Sequence, residues 1–223
     1  MLKTLEIEPT ETQRGSLIWL HGLGSEPRAL EPAAARLEAP FLRFVFPAAP
    51  LRPITINDRA RMPGWYDITS LAAPTPREDA LHLQDMSTEI GKLIEREHER
   101  GVAAENVVLA GFSQGGAMAL HTGLRFERRL AGILIVSGYL PASRTLHAEG
   151  KPERRDTPIL FCHGRQDHVV PRAGGHRSYQ FVKDAGYSAE WAEFDVEHTM
   201  SLEELRFIRG WLAARFPETR RPT

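Results

Sequence analysis

The chain has 223 residues, 42% of them hydrophobic, with 28 Lys+Arg against 29 Asp+Glu and a formal net charge of -1. That balance gives no reason to expect nucleic acid or an anionic membrane as partner, and the length suffices to bury a core without disulfides or metal. The single cysteine, Cys162, excludes an intrachain disulfide and fits a reducing, cytoplasmic compartment.

The opening stretch MLKTLEIEPTETQRG is polar and acidic, with no apolar core of a signal peptide. No segment approaches the roughly 20 apolar residues that a membrane span needs. SLIWL at 16–20 reads as a buried strand and leads into HGLG at 21–24. FLRFVF at 41–46 reads as a second strand. Residues 47–78 form a long irregular stretch rich in proline, and Met62, Trp65, Tyr66, Ile68 and Leu71 argue against its being disordered. A loop of that length in a compact domain is usually functional. Over 79–100, Leu83, Met86, Ile90, Leu93 and Ile94 recur at helical spacing. NVVLAGF at 106–112, AGILIVS at 131–137 and PILFCH at 158–163 read as buried strands. AEWAEFDV at 189–196 alternates with charge and reads as a strand nearer an edge. Residues 201–216 return to helical spacing, with Ser201 placed as the N-cap, and 217–223 reads as a frayed tail.

Strands alternating with helices predict an α/β fold: one domain over 1–223, a mostly parallel central sheet with helices on both faces. Ligands in such sheets bind beyond the carboxyl ends of the strands, so the strand exits carry the candidates. One exit holds GFSQG at 111–115, a G-x-S-x-G between a strand and a helix of small residues. A tight turn alone would produce that pentapeptide. Its strand–turn–helix setting is what a nucleophile elbow requires. A serine hydroxyl needs a base, and the elbow's chain order is serine, acid, histidine. Of the aspartates that follow, Asp156 precedes a strand and Asp184 lies in a helical pattern; Asp167 stands at a strand exit, with Asp195 as second choice. Of nine histidines, His198 alone lies between the last strand and the last helix. The expected roles are Ser113 as nucleophile, His198 as general base and acid, and Asp167 as its orienting carboxylate. The backbone N–H groups of Gln114 and Leu23 are the expected oxyanion donors.

His21 is expected to anchor its loop, Cys162 to be a buried small hydrophobe, and His82 and His98 to face solvent. Neither a zinc spacing nor a phosphate loop is visible, so no metal and no cofactor are expected.

The stretches LIWLHGLGS, RPITINDRARMPGWYDI, VVLAGFSQGGAMAL, SGYLP, ILFCHGRQDHVVP and EHTMSLEEL occur in this order over nearly the whole chain. The chain thereby resembles the small carboxylesterase, acyl-protein thioesterase and lysophospholipase-like family of α/β-hydrolases. The resemblance implies the α/β-hydrolase fold and supports the roles given to Ser113, Asp167, His198, Leu23 and Gln114. It further implies an acyl groove near Leu23, Met62, Trp65, Leu71, Tyr139 and Val169, and it leaves a homodimer open. Two positions depart from the family pattern: Ser25 stands where an aspartate is usual, and Glu197 where a glycine precedes the histidine. No stretch remains for a cap domain, which implies an open site for short-to-medium acyl esters or thioesters. The alternatives are a non-catalytic binding module on the same scaffold, or a peptidase or acyltransferase using the same three residues.

Overall fold

The computed structural model describes residues 1–70 and 77–217. In chain order its elements are β1 (Thr4–Ile7), β2 (Gly15–Leu20), α1 (Glu31–Leu37), β3 (Leu42–Pro47), β4 (Leu51–Ile54), β5 (Ala60–Pro63), β6 (Ile68–Ser70), β7 (Arg77–Glu78), α2 (Ala80–Glu99), β8 (Val107–Phe112), α3 (Gln114–Gly123), β9 (Gly132–Val136), α4 (Leu146–Glu149), β10 (Ile159–Gly164), α5 (Arg172–Asp184), β11 (Ala189–Phe194) and α6 (Leu202–Ala213).

Seven strands form one sheet in the order β1-β3-β2-β8-β9-β10-β11. Every pair is parallel except β1 with β3. A parallel strand covered on both faces must be apolar on both, which is why β2, β3 and β10 are buried along their whole length. In β2, Ile18 and Leu20 face a core that includes Leu83, Ile90, Leu93 and Ile94 of α2 and Met118 of α3. Leu17 and Trp19 face the opposite core, with Leu37 of α1 and Leu205, Ile208, Trp211 and Leu212 of α6. This is the α/β-hydrolase arrangement, and the strands expected from the sequence lie within a residue or two of their observed bounds.

The differences have local causes. β1 pairs along the outer side of β3, and its half-exposed TLEI lacks the continuous apolar run of an inner strand. The stretch expected to be irregular holds two small antiparallel pairs, β4 with β5 and β6 with β7. α2 carries a fully buried acid that its apolar spacing hid. Glu97 accepts hydrogen bonds from Ser16 Oγ at 2.6 Å, Arg43 Nη1 at 2.9 Å and Arg100 Nη1 at 3.0 Å. Buried charges persist when paired in this way, and here the pairs tie α2 to β2 and β3. His98 is exposed as expected, but His82 is half-buried and its Nδ1 accepts the Asp67 N–H at 3.3 Å.

Ser201 caps α6 through a capping box: its Oγ accepts the Glu204 N–H at 3.0 Å, and the Glu204 carboxylate accepts the Ser201 N–H at 3.4 Å. Phe216, near the end of the described chain, is buried with its ring 6.2 Å from that of Phe41. The expected frayed tail lies, from 218 onward, outside the described residues. No helix among the described residues is long and apolar enough to cross a membrane.

Candidate active site

β8 runs straight into α3 with Ser113 at the junction, at φ 56° and ψ −122°. A residue with a Cβ avoids that region, and holding one there costs about 1–3 kcal/mol. Two backbone bonds hold it: the Ser113 N–H donates to Val136 O at 2.8 Å, and Ser113 O accepts from the Ala117 N–H at 3.0 Å. The flanking glycines are steric necessities. A Cβ on Gly111 would lie 2.1 Å from the Gly115 backbone, and one on Gly115 would lie 2.3 Å from Leu20 O.

Asp167 and His198 arrive from two further strand exits, three residues beyond β10 and four beyond β11. Ser113 Oγ lies 2.9 Å from His198 Nε2, and His198 Nδ1 donates to Asp167 Oδ2 at 2.7 Å. With its proton on Nδ1, the imidazole offers a lone pair at Nε2 to the serine hydroxyl. Asp167 Oδ1 accepts the N–H groups of Val169 at 3.0 Å and Val170 at 2.8 Å. Burial alone would raise the Asp167 carboxyl, but the hydrogen bonds from His198 and Val170 and the two nearby imidazoles hold it below its ordinary value. It is therefore an ionised acceptor at neutral pH. The second imidazole is that of His163, whose Nε2 donates to Val170 O at 2.8 Å and lies 3.5 Å from Asp167 Oδ2. Asp195 instead engages Gln166 and is exposed, Asp156 pairs with Arg129 and Asp184 with Gln180. The Glu197 side chain is exposed, and both ring nitrogens of His198 are already engaged by Ser113 and Asp167.

Gln114 opens α3, so its N–H belongs to the helix end that has no intrahelical partner. Leu23 sits in the loop after β2, between anchored neighbours. His21 donates from Nδ1 to Gly22 O at 2.8 Å and accepts the Ala49 N–H at Nε2 at 3.1 Å. Burial holds its imidazole below the ordinary value, so it stays a neutral anchor, as expected. The Gly24 N–H donates to Pro63 O at 2.8 Å.

The residues of the expected acyl groove fall into three groups. Leu23 and Met62 are half-buried near each other: Leu23 Cδ1 lies 3.1 Å from where a Cβ on Gly64 would stand, and Met62 Sδ 3.6 Å from the equivalent point on Gly24. Val169, beside the Asp167 turn, is 56% exposed. Trp65 and Tyr139 are buried, and the Tyr139 hydroxyl pairs with that of Tyr66 at 2.9 Å. Leu71 lies outside the described residues. Sequence reasoning missed the Gln114 side chain, whose Oε1 accepts the Trp65 N–H at 2.9 Å and whose Nε2 donates to Tyr66 O at 2.8 Å. Among the described residues, no group of three or more His, Cys, Asp or Glu is placed to hold a metal ion.

The chain is 36% identical over 205 residues to a probable carboxylesterase of Oryza sativa subsp. japonica, covering 89% of this chain and 77% of that one. It is 34% identical over 213 residues to acyl-protein thioesterase 1 of Gibberella zeae, covering 91% of each. The crystal structure of Arabidopsis thaliana SOBER1 superposes with a TM-score of 0.85 at 30% identity, over 92% of this chain and 100% of that one. The family model for phospholipase/carboxylesterase matches residues 4–215. By that match and these relatives, the chain belongs to the phospholipase/carboxylesterase family of α/β-hydrolases.

Proposed function

We propose that the protein hydrolyses carboxylic esters or thioesters of short-to-medium acyl chains through an acyl-enzyme on Ser113. The observation that carries this reading is the unbroken series from Ser113 Oγ through His198 to Asp167, with contacts of 2.9 and 2.7 Å. As Oγ attacks the acyl carbon, its proton passes to His198 Nε2, and Asp167 stabilises the imidazolium that results. The tetrahedral oxyanion is held by the N–H groups of Gln114 and Leu23. His198 then protonates the departing alcohol or thiol. Water, deprotonated by the same nitrogen, releases the acid and restores the serine. The acyl chain lies along Leu23 and Met62 with Val169 at the rim, while Trp65 and Tyr139 support the wall from behind. Each methylene laid on that surface contributes about 0.8 kcal/mol, which gives loose chain-length discrimination.

The same reading treats residues 1–223 as one domain, supported by a single sheet that takes strands from Thr4 to Phe194. It also places the protein in the cytoplasm, which suits the free, buried Cys162. The test is turnover of a p-nitrophenyl acyl ester series and of an acyl thioester of matched length, with fluorophosphonate labelling. The wild type should turn over both and be labelled at Ser113, and Ser113→Ala should do neither. Undiminished turnover by Ser113→Ala ends the proposal.

A further inference from the structure

The two proposed oxyanion donors belong to different elements. Gln114 opens α3, and Leu23 lies in the loop after β2. Catalysis by such a pair needs both N–H groups at a set distance from one developing oxyanion, because the donors must be in place before charge forms. The structure shows one segment bonded to both elements. On its α3 side, the Gln114 side-chain amide pairs with the Trp65 N–H at 2.9 Å and with Tyr66 O at 2.8 Å. On its β2 side, the Trp65 indole Nε1–H donates to His21 O at 2.7 Å, and Pro63 O accepts the Gly24 N–H at 2.8 Å. The residues bonded on this side, His21 and Gly24, bracket Leu23.

The segment is itself held against the β4–β5 hairpin. The Gly64 N–H donates to Pro50 O at 3.1 Å, and Arg52 Nε donates to Gly64 O at 2.7 Å. The Trp65 ring is fully buried and lies 5.2 Å from the His21 ring. The links made by Trp65, by the Gln114 amide and by Arg52 are buried, so none of these can be exchanged for solvent at little cost.

We infer that residues 63–66, with Trp65 as centre and the Gln114 side chain as coupler, form a strut that sets the spacing of the two oxyanion donors. Trp65 and the Gln114 amide are positioning residues: the oxyanion is bound by backbone N–H groups, and these side chains fix where those groups stand. The inference rests on the proposed function and adds to it the device that makes the donor pair rigid.

Trp65→Phe removes the indole N–H and keeps an aromatic ring. Gln114→Met keeps the backbone N–H and the side-chain length and removes the amide. Each variant is assayed with p-nitrophenyl butyrate and with an aliphatic trifluoromethyl ketone, whose hemiketal oxygen occupies the oxyanion position. Loss of a whole donor costs on the order of 100- to 1,000-fold in kcat, so a misplaced pair is expected to cost about 10- to 100-fold. KM should be nearly unchanged, and ketone affinity should weaken in step with kcat/KM. The double variant should be little slower than the slower single one, because either break releases the strut.

A merely structural role would lower thermal stability and leave kcat of the folded protein alone. That result overturns the inference, as do additive losses in the double variant or a change confined to KM. If neither variant folds, hydrogen exchange of the Trp65 indole in the wild type decides. Protection like that of the core amides supports the strut, and exchange as fast as an exposed indole rules it out. An inactive Ser113→Ala beside a fully active Trp65→Phe would refute the strut and leave the proposed function standing.

Discussion

Asp167 shows how much a single residue depends on its surroundings. It is a buried carboxyl that stays ionised because four groups answer it: the N–H groups of Val169 and Val170 and the imidazoles of His198 and His163. Asp167→Asn preserves the side chain's size but presents an NH₂ or a neutral oxygen to His198 Nδ1. On the proposed mechanism the imidazole tautomer that accepts the serine proton is no longer enforced, and kcat should fall about 10,000-fold, the loss known for serine triads elsewhere. Steady-state kinetics with a p-nitrophenyl ester checks this, and a loss under tenfold would remove Asp167 from its proposed role. That Ser113, Asp167 and His198 come together was legible in the sequence because chain order and strand exits constrain them. The Gln114 amide and the Trp65 indole were not, since nothing local says which backbone groups they will meet across more than forty positions.

At the scale of elements, the elbow depends on how closely α3 approaches β2. Gly115 sits with the backbone oxygens of Leu20 and His21 where a Cβ would have to go, at 2.3 and 2.5 Å. The Leu20 oxygen ends a fully buried strand and the His21 oxygen follows it directly, so neither can retreat without disturbing the sheet. Gly115→Ala should therefore lower the thermal midpoint markedly or prevent folding, overpacking at such sites costing about 1–3 kcal/mol or more. A midpoint unchanged in a thermal melt would refute the close approach. The G-x-S-x-G spacing pointed to this crowding. The inner strands were readable because burial on both faces makes them continuously apolar, whereas β1, β4 and β5 are short and partly exposed.

For the molecule as a whole, Glu204 is one group through which pH acts on stability. Its carboxyl is fully buried at the start of α6, with Oε1 unpartnered, and burial pushes it up from 4.5 to about 7 against the weaker opposing effect of the Ser201 N–H. A folded-state value above the unfolded one means the folded chain holds the proton more tightly. This contribution to stability is complete below about pH 4.5 and is lost as pH rises through about 7. Glu204→Gln cannot ionise and can still accept the Ser201 N–H. It should gain stability over the parent between pH 5 and 7, as the loss in the parent runs between those two values, and hold that gain above pH 7. Urea unfolding of both proteins at pH 5, 6, 7 and 8 measures the difference, and a gap independent of pH would contradict it.

The sequence by itself determined the α/β class, the inner strands, the elbow and the identity of the serine, acid and histidine candidates. Those features follow from local rules: hydrophobic period, turn chemistry and the order in which strand exits must come. Tertiary structure alone decided that Asp167 rather than Asp195 faces His198, that Glu197 leaves the ring untouched, that Trp65 is a buried link and that Glu97 and Glu204 lie in the interior. Each of these turns on which groups meet across long stretches of chain, and the contact itself sets whether a charge is paired, a proton retained or a donor held in place.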